Sequence, residues 1–99
     1  MFARVSAFQG SLEQTAEGIR MAREQILPAA RLQEGFEGIY LLFDPETGRS
    51  LSITLWETQE DMKASEDAAN QARSESVRVA GDTIVSVERY EVALAELET

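Results

Sequence analysis

The stretch that decides the fold is residues 36–56: Phe36-Glu37-Gly38-Ile39-Tyr40-Leu41-Leu42-Phe43, then Asp44-Pro45-Glu46-Thr47-Gly48-Arg49-Ser50, then Leu51-Ser52-Ile53-Thr54-Leu55-Trp56. Its first part is rich in aromatic and branched residues, and Leu51–Trp56 alternates apolar with hydroxyl side chains at the two-residue period of a pleated strand. The intervening Asp-Pro-Glu-Thr-Gly-Arg is turn chemistry, because proline presets φ while aspartate and glycine accept tight backbone conformations. The segment therefore reads as a β-hairpin. Its central position dictates how the two flanks are read.

Upstream, Phe2–Phe8 alternates as a strand, with Ala3, Val5 and Ala7 on one face and Phe2, Arg4, Ser6 and Phe8 on the other. Gln9-Gly10 breaks it, and Ser11 with Gln14 three residues later is a capping-box pattern that opens a helix. Leu12, Ala16, Ile19, Ala22 or Arg23, Ile26 and Ala30 then recur at helical steps until Gly35. Pro28 lacks a backbone donor, so it predicts a kinked last turn or a new one. Downstream, Thr58 with Asp61 at the third helical position starts a second helix that runs to about Ala80 and is stopped by Gly81-Asp82. Thr83–Val92 alternates as a fourth strand. Ala93–Thr99 is an acidic tail, either frayed or reaching a partner.

The order β-α-β-β-α-β predicts an α+β, ferredoxin-like single domain over residues 1–99: a four-stranded antiparallel sheet with both helices on one face. The more uniformly apolar set, Ala3, Val5, Leu51, Ile53, Leu55, Val85 and Val87, is expected beneath the helices. The uncovered face then carries Phe2, Arg4, Ser6, Phe8, Ser52, Thr54, Trp56, Ile84, Ser86, Glu88, Tyr90 and Val92. That mixture is too aromatic for a solvated face and too polar for a dry core, so a second sheet is expected to cover it.

Charge and composition exclude several function classes. Eighteen acidic against nine basic residues give a net charge of −9, which disfavours phosphate backbones and anionic lipid, so neither nucleic acid nor membrane is an expected partner. Histidine and cysteine are absent, which removes the usual ligands of zinc and heme iron, so no metal and no cofactor are expected. Glu60-Asp61 and Glu66-Asp67 lack a partner histidine and read as a solvated helix face. No phosphate-binding loop, dinucleotide glycine pattern or nucleophile elbow occurs. Without cysteines, a membrane-length apolar run or a targeting segment at Met1-Phe2-Ala3-Arg4, the expected location is the cytoplasm. A chain of 99 residues buries a modest fraction of its surface, and self-association is the available route to more.

Phe2-Ala3-Arg4-Val5, Gly35-Phe36-Glu37-Gly38-Ile39-Tyr40 and Leu55-Trp56-Glu57-Thr58 leading into an acidic helix start together resemble the antibiotic biosynthesis monooxygenase-like proteins of the dimeric α/β-barrel superfamily. The resemblance implies a homodimer whose sheets face each other, with a small-molecule cavity in each subunit. It further implies either cofactor-independent oxygenation of aromatic polyketides or heme degradation, or no activity at all. Family enzymes commonly carry a histidine in the second helix, where this chain has Met62-Lys63-Ala64-Ser65-Glu66-Asp67. The heme-degrading reading thereby loses its axial ligand, and the oxygenase reading loses one polar group.

The residues expected to carry chemistry follow from the alternation. Arg4 and Glu88 fall on the same face of neighbouring strands as a cross-strand pair, either structural or catalytic, with Arg4 holding an anionic or enolate oxygen and Glu88 orienting it or acting as base. Trp56 offers a stacking surface and an N–H donor, or simply packs. Tyr40 and Tyr90 offer phenol hydroxyls, and Ser6, Ser52 and Thr54 complete the ligand-binding candidates around a small aromatic molecule. Three readings stay open: a cofactor-free monooxygenase or related isomerase, a non-catalytic dimeric binding or regulatory module, and a purely structural dimer with a filled cavity.

Overall fold

The computed structural model describes residues 1–98, so Thr99 of the acidic tail lies outside the described residues. Strand β1 spans Phe2–Gln9. A short 3-10 turn at Leu12–Gln14 leads into helix α1 (Thr15–Met21), a π-helical turn (Ala22–Ile26) and helix α2 (Leu27–Arg31). Strands β2 (Phe36–Phe43) and β3 (Arg49–Trp56) form the central hairpin, followed by helices α3 (Gln59–Ala64) and α4 (Glu66–Ala80) and strand β4 (Thr83–Glu91). The sheet order is β2-β3-β1-β4 with all pairs antiparallel, which is the expected ferredoxin-like topology.

Local chemistry accounts for most boundaries. The Thr58 hydroxyl accepts from the Asp61 N–H at 3.0 Å, the expected cap. The second helix is interrupted at Ser65, whose hydroxyl donates to the Met62 carbonyl at 2.7 Å. Gly81, at φ 73°, ends α4 in the left-handed conformation that glycine adopts without a Cβ clash. Pro28 sits in the first turn of α2, and the π-helical turn just before it lets the Leu27 N–H reach the Ala22 carbonyl where regular spacing is lost. Ser11 makes no side-chain cap bond, because the chain enters through a 3-10 turn and not directly into an α-helix.

In β1 and β3 the two sheet faces are the reverse of the sequence expectation, whereas in β4 Val87 lies on the helix side and Ser86, Glu88 and Tyr90 on the open face, as expected. Directly paired residues share a face, and β1 pairs Arg4 with Thr54 and Arg89, Ser6 with Ser52 and Val87, and Phe8 with Ser50 and Ile84. These residues, with Phe2 and Trp56, lie beneath the helices: Arg4, Ser6, Phe8 and Trp56 are all buried. Ala3, Val5, Leu51, Ile53 and Leu55 face the other way, alongside Tyr40, Leu42, Ser86, Glu88 and Tyr90. A bulge between Ala7 and Phe8 in the β4 pairing leaves Val85 unpaired, which puts Ile84 and Val87 both on the helix side despite their odd spacing. Uniform apolarity was the wrong criterion for the covered face, because the helices supply polar partners for Arg4 and Ser6 that no strand pattern displays.

Candidate functional site

Between the helix-side sheet face and the helices lies a cavity of about 340 Å3. Its floor is Phe8, Ile39, Leu41, Phe43, Ser50, Ser52, Thr54 and Trp56, and its roof comes from α1, the π-helical turn, α2 and α4. Ile19 and Leu41 line it from opposite sides and each keep 39% of their surface exposed, so the layers do not close on one another there. Volume and apolar lining match those of small-molecule sites. Thr15 also borders the cavity, and its hydroxyl is buried without a hydrogen-bond partner among the described residues.

One end is built on Arg4. Its guanidinium is 3% exposed, stacks over the Trp56 ring at 5.6 Å, and donates to the Met62 carbonyl and the Ser65 hydroxyl at 2.7 Å each. Glu66 completes the shell with an ion pair of 3.1 Å, and Arg89 grips the same carboxylate with two bonds of 2.8 Å. Arg4 and Arg89 stand directly opposite across the sheet, and the shared carboxylate offsets a repulsion that like charges in that register otherwise feel. The hydrogen bonds from Arg89, above all, hold the Glu66 carboxyl below its ordinary value of 4.5, at about 2, with the charge of Arg4 adding to the effect. Burial lowers the Arg4 pKa, and Glu66 opposes the shift. Trp56 donates its N–H to the Thr54 hydroxyl at 3.0 Å and packs edge-on against Phe36 at 5.5 Å.

A second guanidinium, that of Arg73 from α4, lies near the Arg4 cluster. It is 8% exposed, lines the cavity, and reaches the Ser6 hydroxyl at 3.5 Å and the Asn70 side-chain oxygen.

The structure thus brings Arg4, Ser6, Ser52, Thr54 and Trp56 together around one cavity and separates them from Glu88, Tyr40 and Tyr90. The expected Arg4–Glu88 pair does not form. Glu88 stands opposite Val5 on the other sheet face and accepts from the Tyr90 hydroxyl at 2.6 Å, a bond that raises the Tyr90 pKa. Strict alternation along β4 fails at the Val85 bulge, so β1 pairs Arg4 with Arg89 instead. Glu66, read as part of a solvated face, is the actual partner of Arg4, 62 positions away in sequence.

Arg73 escaped sequence reading, although a signal was present. It shares a helical stripe with Ala69, Ser76 and Ala80, a row of small residues suited to lying against a sheet, and a lone arginine on such a row is anomalous.

Among the described residues, none lining the cavity carries an imidazole, thiol or phenol, so the donor set does not fit a heme iron. No group of three or more acidic side chains among the described residues is arranged to hold a metal ion.

No described family profile matches the chain. It is 32% identical over 93 residues to the uncharacterised protein Rv2557 of Mycobacterium tuberculosis, and 28% identical over 94 residues to the uncharacterised Rv2558 of the same organism. Those alignments take in 94% and 95% of this chain but only 41% and 39% of the relatives, so the chain spans about two fifths of their length. Several solved structures share the fold. A candidate antibiotic biosynthesis monooxygenase from Deinococcus radiodurans superposes with a TM-score of 0.73 at 20% identity, covering 100% of this chain and 99% of that one. The monooxygenase ActVA-Orf6 of Streptomyces coelicolor, in complex with nanaomycin D, gives 0.72 at 12% identity over 99% and 92%. The heme degrader MhuD of M. tuberculosis, with two hemes in its active site, gives 0.69 at 23% identity over 97% and 99%. The fold is therefore that of the antibiotic biosynthesis monooxygenase-like proteins, as the sequence resemblance implied.

Proposed function

We propose that this domain binds a small, mostly apolar, conjugated molecule between its sheet and its helices and oxygenates it without a cofactor. The cavity of about 340 Å3 is the observation that carries this reading. A substrate able to form its own stabilised carbanion supplies the electrons for dioxygen, which leaves the protein to exclude water, orient the ring and stabilise an oxyanion. Apolar walls, the Trp56 ring and the two lining guanidinium groups of Arg4 and Arg73 suit those tasks. The shared fold with two proteins described as monooxygenases supports the same reading.

A second reading, a non-catalytic binding or regulatory module, is favoured by the state of Glu66. Held by Arg4 and Arg89 with a pKa near 2, it is a poor base at neutral pH. One experiment separates the two. Trp56 is the sole tryptophan and lines the cavity, so its fluorescence reports binding while an oxygen electrode reports turnover of anthrone-type and quinol compounds. Quenching with oxygen uptake supports the enzyme, quenching without uptake supports the binding module, and no quenching by any compound sinks both.

We further propose that the other sheet face pairs with a second copy of this domain. Tyr40, Leu42, Val85 and Tyr90 are 45 to 52% exposed there, around the partly exposed Val5, Leu51, Ile53 and Leu55. Such a patch marks an association surface on a small domain. Sedimentation should find a dimer at micromolar concentration, and a stable monomer would sink this part.

A further inference from the structure

We propose that Arg73 and Ser6 form the binding site for a single delocalised oxyanion, a carboxylate or an enolate, carried by the otherwise apolar occupant of the cavity. This deepens the small-molecule reading above and rests on it.

The charge balance around α4 supports the assignment. Three guanidinium groups, Arg4, Arg73 and Arg89, share one carboxylate, Glu66, while the two carboxylates that line the cavity are engaged elsewhere, Glu75 with Arg78 and Asp82 with the Ser76 hydroxyl. Arg4 and Arg89 both contact Glu66, and Arg89 is 44% exposed, so water screens much of what Glu66 leaves uncompensated there. Arg73 is 8% exposed and has no carboxylate within ion-pair distance among the described residues. Its partners are neutral: the Asn70 side-chain oxygen, and the Ser6 hydroxyl at a long 3.5 Å. A buried guanidinium with only neutral acceptors is costly, and five fixed donors leave most of its fork unspent. Burial, followed by the charge of Arg4, lowers its pKa, and the charge of Glu66 offsets that shift only in part.

Geometry supplies the rest. Arg73 borders the open volume, and Ser6 beside it is buried, with a hydroxyl able to donate to the same anion. A planar fork recognises a carboxylate or enolate through two parallel bonds. Phe8, Met21, Ile26 and Phe43 line the same space and offer apolar contact to the body of the ligand. One buried guanidinium without a carboxylate in contact calls for one negative charge, which disfavours phosphates and dicarboxylates.

The test uses a matched pair of probes, 2-naphthoate and its neutral amide 2-naphthamide, titrated into the full chain. Wild type should bind the acid about tenfold or more tighter than the amide, because a charge-assisted bidentate contact outweighs a neutral one. Arg73→Met should bring that ratio to about one while the amide still binds, and its unliganded melting temperature should equal or exceed that of wild type because a buried, unpaired charge has gone. Arg73→Lys, which keeps the charge and loses the fork, should show an intermediate ratio, and it decides the matter if the methionine variant does not fold. Equal affinity for acid and amide in wild type overturns the anion site and leaves the cavity reading standing. A preference that survives unchanged in Arg73→Met or Arg73→Lys does the same. Binding of neither probe overturns both.

Discussion

The two faces of the sheet are built from the same four strands and obey opposite rules. Beneath the helices the residues are mixed: Arg4, Ser6, Phe8, Ser52, Thr54 and Trp56. The charge among them is tolerated because α3 and α4 bring a carbonyl, a hydroxyl and a carboxylate to it. On the other face the side chains are largely aliphatic and aromatic, and Glu88 at its margin bonds only to its own strand. Mixed polarity marks the side with a cavity to line, and the largely apolar side is the one proposed to meet a second sheet.

That contrast can be broken experimentally, most severely on the aliphatic face. Ile53→Asp places a carboxylate between Val5 and Tyr40. Burying two such charges in a sheet-on-sheet contact costs several kcal/mol, so sedimentation should show dimer affinity falling by about a thousandfold or more. An undiminished dimer would put the interface elsewhere.

On the mixed face, Arg4→Ala should cost about 3 kcal/mol in denaturant unfolding, near the low end for a broken buried pair because Arg89 still neutralises Glu66. A double-mutant cycle sharpens the point. Arg4 and Glu66 should couple by about 1 to 2 kcal/mol, whereas Arg4 and Glu88 should add within about 0.5 kcal/mol. Coupling to Glu88 instead would restore the cross-strand pair that the strand alternation suggested.

Acid offers a gentler probe. The Glu66 carboxyl titrates near 2 in the folded chain against an ordinary value of 4.5. A depressed carboxylate stabilises the fold fully above about pH 4.5 and loses that contribution as pH falls toward 2. The stability advantage of wild type over Glu66→Gln should therefore hold at neutral pH and shrink across that window. An advantage independent of pH would mean that the carboxylate charge is not what matters.

The smallest effect belongs to Glu88→Gln. Since Glu88 points away from the cavity, affinity for a cavity ligand should stay within about twofold of wild type. A large loss would reconnect the two faces.

The order of elements, the hairpin at residues 36–56, the Thr58 cap and the Gly81 stop were all legible in the sequence, because turn residues, caps and periodicity act over a few positions. The grouping of Arg4, Ser6, Ser52, Thr54 and Trp56 on one face was legible for the same reason. Which face the helices cover was not, since alternation defines two sets of side chains and says nothing about what each set meets. The Val85 bulge reversed the parity of β4 and moved Glu88 away from Arg4. Only the folded chain brought Glu66 to Arg4 and left Arg73 beside Ser6 with no acid of its own, because those meetings depend on packing a helix against a strand more than sixty residues distant.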